Sequence, residues 1–482
     1  MIDALAVFDI GKTNIKLSLV DAQGRELAVR RRPNEVARHG LYPHHDVDAI
    51  ETWLLAKLRE LAQLAHISAI VPVTHGATAA LVDEHELVLP IMDYEQALPL
   101  ATLAPMQYDA LRPPFSATCS PALGLGLNLG RQLHWQQQAY PEAFARARHL
   151  LMYPQYWAWR LSGVAAAEVT SLGCHTDLWQ PSTARYSSLV ERCGWQALMP
   201  PLQSAWSTLG NLRPALALCT GLPPDCQILC GVHDSNASLL RYLERDQDSP
   251  RVVLSTGTWI IAAALDAPID RLQEESDMLT NVNVLNQPVA CMRFMGGREF
   301  GELAGAAPEV CSSDDLQALI DSGSMALPSF ASCGGPFFGR HGSLAGAAPT
   351  SAAGRYALAS LYCALMTDYC LEQLQATGAI VVEGSFTTNP HFAALLSALD
   401  EQRSVYCSQD SSGTTTGGWM LRHWHDPHTR TRLNQPVLVP PAQLRGWKEY
   451  RQAWRNAVND MLEPAPTIWC CAQKRGEAIT PG

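Results

Sequence analysis

The chain has 482 residues, of which 47% are hydrophobic and 17% are charged. It therefore carries enough apolar material for two or three folded domains, and large-scale disorder is excluded. The 35 Lys and Arg residues against 46 Asp and Glu residues give a formal net charge of −11. This charge disfavours a protein whose main task is to bind nucleic acid or an anionic membrane surface.

The N-terminus shows no basic segment followed by a long apolar run, so we expect no secretory signal. The longest apolar runs, such as residues 260–265, are far shorter than the roughly 20 residues of a membrane helix. The 14 cysteines are scattered through the long chain, which favours free thiols over a disulfide framework. We therefore predict a soluble, cytoplasmic protein without a membrane partner.

Two segments share one pattern of strand, glycine turn and strand. Residues 5–21 place apolar, β-rich runs on both sides of a polar turn that contains Gly11, and residues 251–262 repeat the pattern around Gly257. The two glycines lie about half the chain apart. Two copies are too few for a solenoid. The repetition therefore indicates a pair of related domains.

The segments between these hairpins predict α/β units. Residues 48–64 have apolar side chains at helical spacing, and residues 69–73 follow as a short buried strand. Residues 141–161 predict a pair of helices. Residues 228–232 predict a strand that ends at His233 and Asp234. The carboxyl ends of such strands are where α/β folds place their chemistry.

The second half continues in the same way. Residues 356–374 predict a long amphipathic helix, which is followed by a strand at residues 379–382 and a turn at residues 383–385. A further helix is predicted near the C-terminus, with Trp447, Tyr450 and other apolar residues along one face. The whole chain is thus predicted to be α/β.

The first glycine turn has the residue types that bind a polyphosphate. Small residues let the backbone N–H groups approach phosphate oxygens, and the turn also contains hydroxyl groups and Lys12. Asp9, directly before the turn, can hold Mg²⁺ itself or through water. The turn at residues 255–258 offers hydroxyls and a glycine at the matching place in the other half. Two domains that close on a nucleotide are therefore expected.

Other nucleotide-binding designs are disfavoured, because neither G-x-x-x-x-G-K-[ST] nor G-x-G-x-x-G after a first strand occurs. A two-domain hydrolase also lacks support, since there is no G-x-S-x-G nucleophile elbow. A zinc site at Cys226, Cys230 and His233 does not have the spacing of a zinc knuckle.

Taken in order, these motifs resemble the FGGY carbohydrate kinases nearly end to end. The resemblance rests on residues 9–14 (DIGKTN), residues 231–234 (GVHD) and residues 255–259 (STGTW), and on residues 74–76 (THG) where the family has a sugar-contacting loop. It implies an α/β fold of two actin-like (RNase H-like) ATPase domains. Their interdomain cleft would bind ATP, Mg²⁺ and a sugar.

The resemblance also implies domain boundaries and site residues. The N-terminal, sugar-binding domain would be residues 1–240 and the C-terminal, ATP-binding domain residues 241–482. Asp234 would be the catalytic base and Asp9 would organise the metal. The implied phosphate-binding residues are Gly11, Lys12, Thr13, Asn14, Ser255, Thr256, Gly257 and Thr258. The implied adenosine-side residues are Gly384, Ser385 and Asn389, and the implied sugar-binding residues are His75, Gly76, Asp93 and His233.

The predicted reaction is transfer of the γ-phosphate of Mg·ATP to a hydroxyl of a ketose. The His-Asp pair at residues 233–234 is similar to the branch with rhamnulokinases and fuculokinases, so the sugar would resemble L-rhamnulose or L-fuculose, or be a pentulose such as xylulose. Family relatives are often dimers, which implies a possible homodimer. The alternative is a catalytically silent sensor of nucleotide or sugar.

Some residues depart from the family pattern or have ordinary explanations. Lys12 stands where a small or hydroxyl residue is more usual, and Glu383 replaces the first of the paired glycines of the adenosine loop. The FGGY peptide itself is missing. Asp234 could merely cap the following helix, and His75 could be a hydrogen-bonded histidine at a strand end.

Overall fold

The computed structural model describes residues 2–95, 105–243, 250–332, 334–410, 412–429 and 433–462. In the first half, the strands are β1 (Asp3–Ile10), β2 (Asn14–Asp21), β3 (Glu26–Pro33), β4 (Val36–Ala37), β5 (His44–His45), β6 (His66–Thr74), β7 (Ala79–Val82), β8 (His149–Met152), β9 (Trp179–Gln180), β10 (Arg185–Tyr186), β11 (Thr208–Asn211), β12 (Gln227–Leu229) and β13 (Val232–His233). The helices there are α1 (Val47–Leu61), α2 (Pro105–Leu111), α3 (Phe115–Thr118), α4 (Leu129–Ala139), α5 (Pro141–Ala145), α6 (Tyr153–Ser162), α7 (Val169–Leu172), α8 (Ser188–Arg192), α9 (Pro214–Thr220) and α10 (Asp234–Leu239).

The second half is organised in the same way. Its strands are β14 (Val252–Thr256), β15 (Ile260–Ala264), β16 (Met278–Val282), β17 (Pro288–Phe294), β18 (Met325–Leu327), β19 (Ser343–Ala345), β20 (Ile380–Gly384), β21 (Val405–Cys407) and β22 (Val437–Leu438). Its helices are α11 (Gly296–Ala304), α12 (Ser313–Ser322), α13 (Ala352–Gln373), α14 (Phe392–Leu399), α15 (Gly413–Arg422) and α16 (Trp447–Leu462). Short 3₁₀ segments occur at Gln196–Leu198, Leu240–Tyr242, Glu274–Ser276 and Ser385–Thr388.

Two sheets, one in each half, form the centre of the molecule. The first has the order β11-β12-β6-β1-β2-β3, with β13 also paired to β6, and the second has the order β16-β17-β15-β14-β20-β21-β22. In both, an antiparallel hairpin (β1 with β2, β14 with β15) is joined by a parallel strand, β6 or β20. The two predicted hairpins and the mixed α/β architecture are confirmed.

The prediction of a single strand at residues 228–232 is wrong in one respect, because the structure has two short strands there, β12 and β13. Ile228 pairs with Ile70 and Val232 with Val73, so four steps along one strand match three along the other. Gly231 absorbs the extra residue with a φ of 85°, in the left-handed region that glycine tolerates. This bulge sets the direction in which the chain enters the site.

The predicted helix pair at residues 141–161 is also interrupted. The strand β8 lies between α5 and α6 and pairs antiparallel with β7, from Ala79 opposite Met152 to Val82 opposite His149. Leu150 and Leu151 are buried in this strand. A short apolar run fits a strand as well as a helix, and here pairing with β7 decides the outcome.

The central strand β1 is buried on both faces, as expected for a strand covered by helices. Ala6, Phe8 and Ile10 face one apolar core, which includes residues of α1 and α6. Leu5 and Val7 face a second core that also contains Val253 of β14 and Trp419 of α15. The two halves are therefore joined by a shared apolar core behind the carboxyl ends of their strands.

Candidate active site

The carboxyl ends of β1, β6 and β13 meet at one edge of the first sheet. The three strands run parallel, since β6 pairs in parallel with both β1 and β13. A backbone hydrogen bond of 2.9 Å from His75 N to Ile10 O joins the ends of β6 and β1. The geometry thus brings the first glycine turn, the residues after Thr74 and the segment His233–Asp234 together, at the edge where α/β folds bind ligands.

Asp234 is the first residue of α10, and its contacts fall on one carboxylate oxygen. Oδ1 accepts hydrogen bonds from Ser235 N at 2.6 Å and Ser235 Oγ at 3.2 Å, and His233 Nε2 lies 3.2 Å away. The side chain is 28% exposed. Its deep position raises the pKa of the Asp234 carboxyl, an effect that His75 opposes. Among the described residues, Oδ2 is left to accept a proton from a ligand.

His233 orients this carboxylate. Its Nδ1 lies 3.4 Å from the amide nitrogen of Asn236, so Nδ1 accepts that hydrogen bond and Nε2 carries the proton that it donates to Asp234. Burial lowers the pKa of His233 to about 4, which keeps the ring neutral near pH 7. A Cβ on Gly76 would lie 2.8 Å from His233 Nε2, so only glycine fits beside the ring. His233 and Gly76 are therefore brought together with Asp234.

His75 presents an unoccupied acceptor to the same region. Its Nδ1 lies 3.0 Å from Gly76 O, which places a proton on Nδ1, and its buried Nε2 has no partner among the described residues. Burial lowers the pKa of His75, while the charge of Asp234 raises it. The ring contacts those of Tyr94 at 5.5 Å and Tyr153 at 5.2 Å. A neutral imidazole with a bare nitrogen can accept a hydrogen bond from a hydroxyl group.

Asp93 is buried and holds the ammonium group of Lys12. Lys12 Nζ contacts Asp93 Oδ1, lies 3.3 Å from Glu95 Oε2, and sits 4.8 Å from the centre of the Tyr94 ring. The loop is anchored by a hydrogen bond from Asp93 N to Pro43 O of 3.0 Å. Although Lys12 belongs to the first glycine turn, its side chain is thus directed to the proposed sugar side.

Asp9 lies on β1, directly before the turn, and is mostly buried. Its Oδ2 accepts a hydrogen bond of 2.6 Å from Thr414 Oγ1, and Lys16 Nζ lies 3.6 Å from the same oxygen. Burial raises the pKa of Asp9, against the effect of Lys16 and Thr414, and the charge of Asp234 raises it further. The Asp9 carboxylate would be able to hold a divalent cation, whose charge would offset this repulsion from Asp234.

The first turn is held open by its own backbone. Gly11 N donates to Asn14 O at 2.9 Å, and Asn34 Nδ2 donates to Gly11 O at 2.8 Å. Thr13 and Asn14 are exposed at the tip. Their side chains are accessible to a phosphate.

The second turn mixes exposed and structural residues. Ser255 and Thr258 are exposed. The hydroxyl of Thr256, however, donates to Glu383 O and accepts a 2.9 Å hydrogen bond from Phe386 N, so it joins β14 to the loop after β20. The start of α11 lies against Gly257, whose carbonyl oxygen would overlap a Cβ on Gly297.

The predicted adenosine-side residues surround the same turn. Gly384, with a φ of 84°, lies so close to Thr256 O that a Cβ there would overlap it, and Ser385 Oγ lies 3.4 Å from the same oxygen. Asn389 is buried just before α14: its Oδ1 accepts from His391 N at 2.9 Å and its Nδ2 donates to Ser360 Oγ at 3.0 Å. Gly384 and Ser385 border the second turn, whereas the side chain of Asn389 is used within the fold.

Glu383, the departure from the family's glycine pair, is held by the segment that links the two halves. Tyr242 OH donates to Glu383 Oε1 at 2.5 Å, and Arg241 Nη1 lies 3.9 Å from it. Arg241 also contacts Asp410 Oδ2 at 2.5 Å. The carboxylate of Glu383 therefore ties the end of β20 to the linking segment.

Three further observations concern metal clusters, cysteines and membrane-spanning helices. Within the described ranges, no cluster of three or more His, Cys, Asp or Glu side chains is arranged to hold a metal ion. Eleven cysteines in the described part are free thiols, while Cys333, Cys470 and Cys471 lie outside it. None of the described helices is both long and apolar enough to span a membrane.

The chain belongs to the FGGY family of carbohydrate kinases. The profile of the N-terminal domain of this family matches residues 4–240, and that of the C-terminal domain of FGGY carbohydrate kinases matches residues 248–431. The crystal structure of a carbohydrate kinase from Novosphingobium aromaticivorans is 40% identical, with a TM-score of 0.87 over 96% of this chain and 100% of that one. The fold is accordingly the actin-like, two-domain fold of these kinases.

Curated relatives are more distant. The L-fuculokinase of Escherichia coli K12 is 27% identical over 285 residues, and a probable L-xylulose kinase of Pasteurella multocida is 25% identical over 279 residues. The matches span 56% and 55% of this chain, and 58% and 56% of those two proteins. The predicted resemblance to a branch with rhamnulokinases and fuculokinases and to xylulokinase relatives is confirmed for the fuculokinases and a xylulose kinase.

Sequence reasoning missed several residues that the structure places in the site. His45 and Tyr153 contact His75, with ring centroids 5.1 and 5.2 Å away. Thr414 reaches Asp9 from α15. No local sequence pattern marks His45 or Tyr153 as a site residue. The small residues at the start of α15 were the only available signal for Thr414, because they allow close approach to another element.

Proposed function

We propose that the protein is an ATP-dependent kinase of a ketose. The observation that carries this proposal is Asp234, whose Oδ1 is fixed by Ser235 and His233 while Oδ2 stays available, next to the neutral acceptor His75. Membership of the FGGY carbohydrate kinases supports the reaction class. A silent sensor would have no use for a carboxylate held in this way.

The reaction needs a base for the attacking hydroxyl group. As the sugar oxygen forms its bond to the γ-phosphorus and the bond to the β,γ-bridging oxygen breaks, the hydroxyl proton passes to Asp234 Oδ2. His233 keeps Oδ1 hydrogen-bonded, so the carboxylate keeps its orientation. His75 accepts a hydrogen bond from a sugar hydroxyl through Nε2 and thereby helps to place the acceptor.

Mg·ATP is the second substrate. Asp9 would hold the metal, which neutralises charge on the phosphates when bound. The turns at residues 11–14 and 255–258 offer the exposed side chains of Thr13, Asn14, Ser255 and Thr258 to the phosphates. Gly384 and Ser385 would border the adenosine, while Thr256 and Asn389 shape this side from within the fold.

We place the domain boundary between residues 240 and 241, with the sugar-binding domain at residues 1–240 and the ATP-binding domain at residues 241–482. The division of strands between the two sheets and the ranges of the two family profiles support this boundary.

The free thiols of the described cysteines favour a reducing compartment such as the cytoplasm. The homodimer stays a prediction, which light scattering on the purified protein tests.

A ketose panel tests the proposed function. We expect the purified protein with Mg·ATP to release ADP with one or a few of L-rhamnulose, L-fuculose, D- and L-xylulose, and D- and L-ribulose. The names of the relatives favour L-fuculose and L-xylulose. ATP binding without ADP release on the whole panel, extended to D-fructose, D-tagatose and glycerol, would contradict the assignment.

A further inference from the structure

The ammonium group of Lys12 stands apart from the residues proposed for the polyphosphate. The first hairpin carries two lysines, and it is Lys16 whose Nζ lies 3.6 Å from Asp9. Lys12 instead contacts Asp93 and Glu95 and lies over the ring of Tyr94. The two side chains therefore serve different parts of the cleft.

The ion pair of Lys12 and Asp93 is unusual because it is largely buried. The side chain of Lys12 is 17% exposed and that of Asp93 only 2%, so both charges have lost most of their water. Such a pair contributes little to stability, because desolvation offsets the attraction between the charges. A role in ligand recognition explains why a lysine occupies a turn position that a small residue would fill.

The groups around Lys12 connect it to the proposed sugar site. Tyr94 contacts both Lys12 and the ring of His75, and the two ring centroids are 5.5 Å apart. The charges of Lys12 and Asp234 both act on His75. Lys12 and the proposed catalytic base thus both lie close enough to His75 to act on the same imidazole.

The hydrogen-bonding groups of this region are mostly acceptors. His75 Nε2 is a bare acceptor and the carboxylates of Asp93 and Asp234 are acceptors, while the buried neutral His45 and the hydroxyl of Tyr153, both without partners among the described residues, can each donate only one proton. A sugar oxygen also needs donors. Lys12 supplies up to three N–H groups, of which its carboxylate partners use only part.

The charges restrict which sugars fit. One lysine faces the carboxylates of Asp93 and Glu95, with Asp234 close by, while His75 and His45 have lowered pKa values and stay neutral. The net charge of these four ionised side chains is negative. A carboxylate on the ligand would be repelled, whereas an uncharged polyol can bridge the lysine and the acceptors.

We propose that Lys12 is a sugar-specificity residue, which donates a hydrogen bond to an oxygen of an uncharged ketose and does not serve the phosphates of ATP. This inference rests on the proposed function, whose acceptor site it describes. It assigns Lys12 to the sugar and excludes sugar acids as substrates.

The test distinguishes a role of Lys12 in sugar binding from a role in ATP binding. Lys12→Met should raise the KM for the ketose at least tenfold and change the Kd of ATP, measured by calorimetry without sugar, less than twofold. Asp93→Asn should show the same split, and it keeps the inference testable if Lys12→Met does not fold. Lys57→Met is the control, since Lys57 pairs with Glu60 on the surface of α1. The wild type should use the aldonic acid of the same carbon skeleton at least 100-fold less efficiently in kcat/KM.

Three results would overturn the inference. A tenfold or larger loss of ATP affinity in Lys12→Met, which is measurable without any sugar, would assign Lys12 to the phosphates. An unchanged KM for the ketose would remove its role in the sugar site. A wild type that prefers the sugar acid would reverse the charge argument while leaving the kinase assignment intact. By contrast, ATP binding with no phosphorylation of any ketose or sugar acid would refute the proposed function itself.

Discussion

Thr414 and Asp9 are joined by a hydrogen bond of 2.6 Å, although they are 405 positions apart in the sequence. Thr414 lies in the first turn of α15, in the second half, and Asp9 lies on the first strand. The close approach is possible because α15 has glycines at 413, 417 and 418, where a Cβ would overlap Ser238, Ala237 or Val7 of the first half. A residue of the C-terminal half thus sets the state of the proposed metal ligand.

This relationship predicts the effect of Thr414→Val. Loss of a hydrogen bond to a charged group costs about 1.5 to 3 kcal/mol, and here it raises the pKa of Asp9 further. We expect the KM for Mg·ATP to rise about tenfold, with a higher Mg²⁺ requirement. Thr414→Ser keeps the hydroxyl and should resemble the wild type. Equal Mg²⁺ titrations of turnover in all three proteins would show that the bond has no functional role.

The contact between His233 and Asp234 predicts a pH effect. A donor to a carboxylate favours its ionised form, so His233→Leu should raise the pKa of Asp234. The acid limb of the kcat/KM profile should move to higher pH by about 0.7 pH units, which corresponds to one hydrogen bond of about 1 kcal/mol. An acid limb at the wild-type position in a folded variant would mean that His233 does not act on the base.

Gly76 is predicted to be intolerant of a side chain for steric reasons. The added Cβ in Gly76→Ala would lie 2.8 Å from His233 Nε2 and displace the ring. We expect kcat to fall about tenfold or more, since small displacements in an active site have large effects on rate. Gly301→Ala is the matched control, because a Cβ there meets nothing within 4 Å. A Gly76→Ala enzyme as active as this control would refute the packing argument.

Asp410 is predicted to stabilise the fold above acid pH. Burial raises its pKa, but hydrogen bonds from Ser412 and Thr416 and the charge of Arg241 outweigh this and lower the pKa to about 2. A depressed carboxyl pKa stabilises the folded state above the unfolded pKa of about 3.9, and the effect is lost as the pH falls toward 2. The difference corresponds to about 2.6 kcal/mol.

The measurement is denaturant unfolding of the wild type and of Asp410→Asn between pH 2 and pH 7. The variant should be less stable at pH 7 by about 2.6 kcal/mol, and this difference in stability should narrow below pH 4. A gap that stays constant with pH would mean that the loss comes from packing and not from the charge.

Much of the fold could be predicted because it depends on local patterns. Alternating apolar runs around Gly11 and Gly257 mark the central hairpins, and helical spacing marks α1 and α13. The order of the strand ends also brings His75, His233 and Asp234 to one edge of the sheet. These features follow from strand period, helix period and the rule for parallel strands.

The remaining features depend on contacts that no local pattern records. Lys12 reaches Asp93, 81 positions away, through a loop whose course is set by backbone pairing with the segment near Pro43. Thr256 is a plausible phosphate ligand by position, yet its hydroxyl donates to Glu383 O of β20 and accepts from Phe386 N. Such outcomes are decided by tertiary packing, which overrides the chemistry of the residue type.

The central claim is that Asp234 accepts the sugar proton during transfer from ATP. The most direct measurement is the rate of sugar phosphate formation, by mass spectrometry, for the wild type and Asp234→Asn with the preferred ketose, alongside calorimetric ATP binding. We predict that the variant loses at least about 1,000-fold in kcat and binds ATP within twofold of the wild type. A folded Asp234→Asn protein with wild-type turnover would contradict the account.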